Sequence, residues 1–136
     1  MSQNVQLAKN LLSAFEGDGW HELVKLLESG YKGEFVALRI LRDSCAEVVA
    51  GDLAKKMNVS TARVAAMLKS LERKRLICRL RSQKDRRITV IEITQSGLQA
   101  LERRESQVFS FIEKLFSKLS DEEADCFVAL AKKLFA

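Results

Sequence analysis

The sequence contains no proline, although average usage of about 5% would supply roughly seven. Hydrophobic residues make up 47% of its 136 residues, yet no segment approaches the roughly 20 apolar residues of a membrane span. The first residues also lack the basic and apolar regions of a secretion signal. We therefore expect one mostly helical domain of modest size that stays in the cytoplasm, with no membrane partner.

Cysteine and histidine are too few for the usual metal and catalytic clusters. The three cysteines lie far apart without C-x-x-C spacing, and His21 has no partner histidine. No phosphate-binding G-x-x-x-x-G-K-[ST] motif occurs. We therefore predict no enzyme, no metal and no cofactor. Cys45 and Cys126 are interpreted as small core residues, whereas arginines near Cys78 would favour its thiolate, which leaves a redox switch as an alternative.

Positive charge is concentrated in residues 55–87. That stretch holds twelve basic and two acidic residues, a formal charge of +10, while the remainder of the chain carries −5. A segregated positive field suits a phosphate backbone. The stretch contains no Phe, Tyr or Trp, and readers of RNA or single strands usually stack bases on such residues. Double-stranded DNA is therefore the favoured partner, with a solvated basic surface or an acidic protein as alternatives.

Apolar spacing predicts two short helices with a tight turn between them, a helix-turn-helix. Ser60 is placed to cap the second helix. The inward positions are Leu53, Ala54 and Met57 on the first helix and Val64, Met67, Leu68 and Leu71 on the second. A further helix ending near Ser44 and a short strand at 45–49 are predicted before them.

Residues 76–81 and 88–94 alternate in polarity, which predicts two strands joined by the basic tip SQKDRR. The flanking segments are helical. Residues 1–30 form one bent helix or two short ones, interrupted by GDG at 17–19. A long helix covers 95–119, and Ser120 with Glu123 forms a capping box for a last helix.

A helix-turn-helix followed at once by a hairpin is a winged helix, and the chain resembles the multiple-antibiotic-resistance regulator (MarR) family. The resemblance is carried by GDLAKKMNVS at 51–60, the frame of Val64, Leu68, Leu71 and Glu72, the D-x-R of Asp85 and Arg87, and the I-T-x-x-G of Ile93, Thr94 and Gly97. The family usually has glycine where Arg75 stands. The resemblance implies a mainly α fold with a small β-wing, in which residues 34–94 form the winged helix-turn-helix and residues 1–30 and 95–136 supply dimerisation helices.

The resemblance further implies a homodimeric, sequence-specific repressor that binds a pseudo-palindromic operator and is released by a small-molecule effector. By resemblance, Arg87 enters the minor groove. Asp85 would orient Arg87, although an idle surface pair is the alternative. The remaining predicted DNA-binding residues are small or basic: Thr61, Ala62, Arg63, Ala65, Ala66, Lys69, Ser70, Arg73, Arg79, Arg81, Lys84 and Arg86. The alanines could instead be simple helix formers on a solvated face.

The flanking helices carry more apolar surface than one small winged helix can cover, which predicts a homodimer. The predicted interface residues are Leu11, Phe15, Val108, Ile112, Leu115, Phe127, Leu130 and Leu134. An effector pocket could draw on Trp20, Tyr31 and Phe35, although aromatic residues at helical spacing are more often core. Two alternative functions stay open, a winged-helix module for a protein partner and a regulator gated by oxidation of Cys78.

Overall fold

The computed structural model describes residues 3–31 and 33–136, and the side-chain surroundings of 3–27 and 33–136. The described chain forms seven helices and one antiparallel pair of strands: α1 Gln3–Ala14, α2 Asp18–Tyr31, α3 Glu34–Asp43, α4 Ala50–Met57, α5 Thr61–Arg73, β1 Ile77–Arg81, β2 Thr89–Ile93, α6 Gln95–Phe116 and α7 Asp121–Phe135. The predicted fold, mainly α with a small β-wing, is confirmed. None of the described helices combines the length and the hydrophobicity that a membrane span requires.

The chain divides into two compact units. The terminal unit comprises Met1–Lys25 and Ser106–Ala136, and the central unit comprises Leu26–Glu105. The first half of α6 lies in the central unit, where Leu101 is fully buried in the core. The assignment of residues 95–136 to dimerisation helices stays a prediction.

The core of the central unit confirms the predicted helix-turn-helix. The four inward positions of α5, Val64, Met67, Leu68 and Leu71, are all buried. They belong to one cluster with apolar residues of α3, α4 and the sheet, including Leu38, Leu53, Ile77 and Ile91. Each buried Leu or Ile side chain contributes about 1.5 to 3 kcal/mol through the hydrophobic effect. This burial fixes which face of α5 points away from the protein.

The turn between α4 and α5 is short because Asn58 adopts the left-handed conformation, with φ 53°. The backbone N–H of Val59 then donates to the Ala54 carbonyl at 3.1 Å, which closes the end of α4. Ser60 caps α5 as predicted, since its Oγ accepts a hydrogen bond from the Arg63 backbone N–H at 3.2 Å.

Two residues after α5 ends at Arg73, the backbone adopts a conformation that is unfavourable for residues other than glycine. Arg75 has φ 62°, in the left-handed region where a non-glycine residue costs about 1 to 2 kcal/mol. Its N–H donates to the Glu72 carbonyl at 2.9 Å, and the Leu76 N–H donates to the Leu71 carbonyl at 3.0 Å. This pair of bonds is a Schellman motif. Arg75 therefore has the conformation that glycine usually supplies at this position of the family.

The two strands form the predicted hairpin, with a register running from Ile77 opposite Ile93 to Arg81 opposite Thr89. The prediction of a strand at 45–49 was wrong in extent. Only an isolated bridge joins Val48 to Ile91 in the described chain, with the Ile91 N–H donating to the Val48 carbonyl at 2.8 Å. One bridge still attaches the hairpin to the segment between α3 and α4.

Contacts at the start of α6 explain the I-T-x-x-G motif. The Thr94 hydroxyl donates to the Arg75 carbonyl at 2.7 Å and accepts from the Gly97 N–H at 3.1 Å. A Cβ atom on Gly97 would lie 2.2 Å from the Leu76 carbonyl oxygen, so any larger residue would force the backbone apart. The motif therefore joins the end of α5 to the start of α6.

In the terminal unit, the chain breaks between α1 and α2 as predicted, with Gly17 in the turn and Asp18 and Gly19 at the start of α2. Across this break, the rings of Phe15 and Trp20 stack with centroids 4.2 Å apart. The predicted capping box of α7 is confirmed, since Ser120 Oγ accepts from the Glu123 N–H at 3.2 Å and Glu123 Oε2 accepts from the Ser120 N–H at 2.9 Å. Helix α6 ends at Phe116, three residues before the predicted end.

Candidate nucleic-acid interface

The outward surface of α5 carries small and basic side chains. Because Val64, Met67, Leu68 and Leu71 occupy the buried side, the other positions of the helix except Ser70 face solvent. The exposed residues of the predicted DNA-binding set on this helix are Thr61, Ala62, Arg63, Ala65, Ala66, Lys69 and Arg73. Small side chains allow a helix to come close to the floor of a groove, and their methyl groups can contact thymine methyls.

Ser70 lies elsewhere than the sequence predicted. It is half-buried, and its hydroxyl donates to Glu34 Oε1 of α3 at 2.6 Å. Lys74 Nζ lies 2.6 Å from Glu34 Oε2. One carboxylate of α3 therefore binds both Ser70 and Lys74 at the end of α5. The contact shows a packing role for Ser70, because its hydroxyl is directed at α3.

The Glu34 carboxylate stays ionised in this position. Its partial burial would raise the pKa, but hydrogen bonds from Lys74 and Ser70 outweigh that effect and leave the pKa of Glu34 below its usual value. An ionised acceptor strengthens both hydrogen bonds. Glu34 therefore joins α3 to the C-terminal end of α5 through two hydrogen bonds.

The wing tip holds one arginine in a defined position. Asp85 Oδ1 accepts from the Arg87 backbone N–H at 3.0 Å and from Arg87 Nε at 3.1 Å, and Asp85 Oδ2 accepts from Arg87 Nη2 at 3.0 Å. These bonds hold the pKa of Asp85 below its usual value and raise the pKa of Arg87. The Arg87 side chain is nevertheless 90% exposed. Asp85 therefore orients the Arg87 guanidinium while the guanidinium stays exposed to solvent.

The other wing residues differ in how their charges are engaged. Arg79 Nε lies 3.0 Å from Glu72 Oε2, so a neighbouring carboxylate compensates part of its charge. Arg81 Nη1 donates to the Arg86 backbone carbonyl at 3.1 Å. Lys84 and Arg86 are exposed at the tip. All four were predicted from sequence, but Arg79 is the least available of them for a phosphate.

Much of the positive charge in residues 55–87 remains uncompensated. Its two acids, Glu72 and Asp85, are each paired with an arginine. The basic residues of this stretch that form no ion pair with any described residue are Lys55, Lys56, Arg63, Lys69, Arg73, Arg75, Arg81, Lys84 and Arg86, and all are exposed. The helix-turn-helix and the wing therefore present a solvent-facing field that attracts a polyanion.

Sequence reasoning missed Ser82 and Glu47. Ser82 is the one buried polar residue of the described chain, 2% exposed, and its hydroxyl donates to Glu47 Oε2 at 2.6 Å. A serine at the start of a polar turn is a local signal for hydrogen bonds to nearby backbone amides. Glu47 carries no comparable signal, since it lies 35 residues away.

The predicted dimer residues lie in the terminal unit with unequal exposure. Leu11, Phe127, Leu130 and Leu134 are 55% to 76% exposed, whereas Phe15, Ile112 and Leu115 are half-buried. Val108 is only 8% exposed in the single chain, which leaves it the least surface of these residues for a partner. The dimer interface stays a prediction.

The residues predicted for an effector pocket have different surroundings. Trp20 stacks on Phe15. Phe35 lies in the central unit, with the guanidinium of Arg104 5.7 Å from its ring centroid. The side chain of Tyr31 lies outside the described residues. The pocket therefore stays a prediction.

The cysteine predictions need correction. Cys45 and Cys126 were expected in the core, but both are exposed free thiols, and Cys78 on β1 is half-buried. Cys126 lies beside Phe127 on α7, and Cys45 lies in the short segment after α3. Their positions in apolar or β-branched stretches suggested burial that the single chain does not provide.

Comparison with known proteins identifies the family. Residues 31–89, which include the helix-turn-helix and most of the wing, match the MarR family model. The HTH-type transcriptional regulator YpoP of Bacillus subtilis is 32% identical over 103 residues, 76% of this chain and 72% of that protein. The chain belongs to the MarR family. The resemblance that we drew from the motifs at 51–60, 85–87 and 93–97 is thereby confirmed.

Other relatives match over shorter shares of their length. The transcriptional repressor YetL of Bacillus subtilis is 33% identical over 76% of this chain and 63% of that protein. In three further curated relatives, the matched stretch is 47% to 60% of the relative. Among solved structures, the F27L mutant of MepR from Staphylococcus aureus, bound to an oligodeoxyribonucleotide, is 25% identical with a TM-score of 0.69 and covers 93% of this chain and 94% of that chain.

Proposed function

We propose that this MarR-family chain is a transcriptional regulator that binds double-stranded DNA sequence-specifically as a homodimer. The observation that carries the proposal is the pairing of two features in the central unit. Helix α5 exposes small and basic side chains, and the wing holds Arg87 oriented by Asp85. The DNA-bound structure of MepR supports a DNA partner for this chain. The similarity to YetL, which is named as a transcriptional repressor, supports repression as the role of this chain.

In the proposed complex, α5 enters the major groove and the wing lies along the minor groove. Thr61, Ala62, Arg63, Ala65 and Ala66 read base edges. Lys69, Arg73, Arg81, Lys84 and Arg86 contact phosphates, which position the protein without selecting sequence. Arg79 makes a weaker contribution because Glu72 holds it, and we leave Ser70 out of the interface.

Two copies of the chain would place two α5 helices on one operator. Half-site centres then lie about one helical turn apart, roughly 10 base pairs. We further propose that a small-molecule effector releases the repressor, with Trp20, Tyr31 and Phe35 as the first residues to test. Selection of bound duplexes from a random pool tests the main proposal, since a two-fold-symmetric consensus requires specificity and a dimer together.

Arg87→Ala is expected to lose roughly 1 to 3 kcal/mol of operator binding. The thermal unfolding temperature should barely change, because the Arg87 side chain is 90% exposed. Asp85→Ala should also weaken binding although it removes a negative charge, since it frees the arginine that it orients. Titration of a labelled operator measures both effects. Tighter binding by the Asp85 variant would contradict the orienting role.

Binding to non-specific duplex should fall steeply with salt. If the dimer makes about 6 to 10 phosphate contacts, affinity drops roughly 10³ to 10⁵-fold between about 50 and 200 mM salt, because binding releases counterions from the DNA. Fluorescence anisotropy over a salt series gives the slope. A flat response would favour the alternative of a protein-interaction module.

A further inference from the structure

Besides the bridge between Val48 and Ile91, a carboxylate attaches the tip of the wing to the segment between α3 and α4. Glu47 Oε2 accepts from the Ser82 hydroxyl at 2.6 Å, and Glu47 Oε1 accepts from the Gln83 backbone N–H at 3.3 Å. Both partners belong to the first residues after β1. Glu47 therefore fixes the point where the chain leaves the strand and starts the tip.

The Ser82 hydroxyl connects Glu47 to the backbone of the turn at the wing tip. A hydroxyl has one donor and two acceptor sites. Ser82 uses its donor on Glu47 and accepts from the backbone N–H groups of Lys84 at 3.2 Å and Asp85 at 3.3 Å. Its own N–H donates to the Ile88 carbonyl at 2.9 Å. Because Ser82 is 2% exposed, water is a poor substitute for these partners.

This series of hydrogen bonds ends at Arg87, the proposed DNA contact in the wing. The Asp85 N–H that Ser82 holds belongs to the residue whose carboxylate holds Arg87. A short series of hydrogen bonds thus runs from Glu47 through Ser82 and Asp85 to an exposed guanidinium. An arginine that is already oriented loses less side-chain entropy when it binds.

We propose that Glu47 is a positioning residue for Arg87 and that it raises operator affinity through the Ser82 turn without touching DNA. This inference rests on the proposed function. Simple electrostatics gives the opposite sign, since removing a carboxylate from a protein that binds phosphates should strengthen binding. The direction of the effect therefore separates the two explanations.

Glu47→Ala is expected to weaken operator binding about tenfold, and by no more than Arg87→Ala. Glu92→Ala is the matched control, because Glu92 is an exposed carboxylate on β2 that forms no hydrogen bond with the described residues of the tip. It makes the same charge change and should leave binding unchanged or slightly stronger. Glu47→Gln should recover most of the affinity, since its amide oxygen can still accept from Ser82. Unfolding temperatures of all variants show whether the fold persists.

A double-mutant cycle supplies the decisive measurement. If Glu47 acts through Arg87, then Glu47→Ala added to Arg87→Ala should cause little further loss of operator binding. An equal tenfold loss on both backgrounds would overturn the inference, as would tighter binding by Glu47→Ala that matches the Glu92 control. If the unsubstituted chain prefers no duplex sequence, the proposed function fails, and that result is distinguishable from a failure confined to Glu47.

Discussion

Ala66→Glu should reduce operator binding to the level of non-specific duplex, a loss of roughly 10³-fold or more. Ala66 is exposed on α5, on the side opposite buried Leu68 and Met67. In the proposed complex, the new side chain would bring bulk and a negative charge into the major groove, where neighbouring phosphates repel it. Ala62→Glu should act in the same way, one turn earlier on the helix.

The fold should survive this substitution, because Ala66 is exposed and glutamate forms helices nearly as well as alanine. Two controls separate the causes. Ala66→Gln adds similar bulk without charge, and Gln99→Glu adds the same charge at an exposed position of α6. Operator titrations and thermal unfolding measure the outcome. An Ala66→Glu variant with unchanged operator affinity would exclude this side of α5 from the groove.

Changing Phe127 and Leu130 together to Asp should dissociate the proposed homodimer and remove high-affinity operator binding. In the single chain these side chains are 57% and 55% exposed, and Leu134 on the same helix is 76% exposed. Contiguous apolar surface of this kind is rare on monomers. Two carboxylates per chain would be costly to bury in an interface. A single winged helix would then keep only half of the DNA contacts.

Sedimentation equilibrium at micromolar concentration measures the dimer directly. Ala129→Asp is a suitable control, since Ala129 lies on the side of α7 that also holds Asp125 and Lys132. It introduces the same residue into the same helix and should leave the dimer intact. A wild-type monomer that still binds a palindromic operator tightly would show that the apolar stripe of α7 has another purpose.

The sequence by itself determined most of the elements and the N-caps of α5 and α7. Apolar spacing located α5 and its four buried positions, because a 3.6-residue period is visible in any helix that buries one side. Ser60, Ser120 and the D-x-R at the wing tip were also readable, since their partners lie two or three residues away. Such contacts depend on local backbone geometry, which a short stretch of sequence specifies.

The tertiary structure decided which side chains from distant segments meet. Glu47 contacts Ser82 across 35 residues, and Glu34 contacts Ser70 across 36, although neither carboxylate differs locally from a solvated one. The tertiary structure also decided which apolar residues are buried. Val108 is buried and Cys45 is exposed, although both have apolar neighbours in the sequence. Burial and long-range hydrogen bonds depend on which elements pack together, and a residue's own neighbours in sequence do not contain that information.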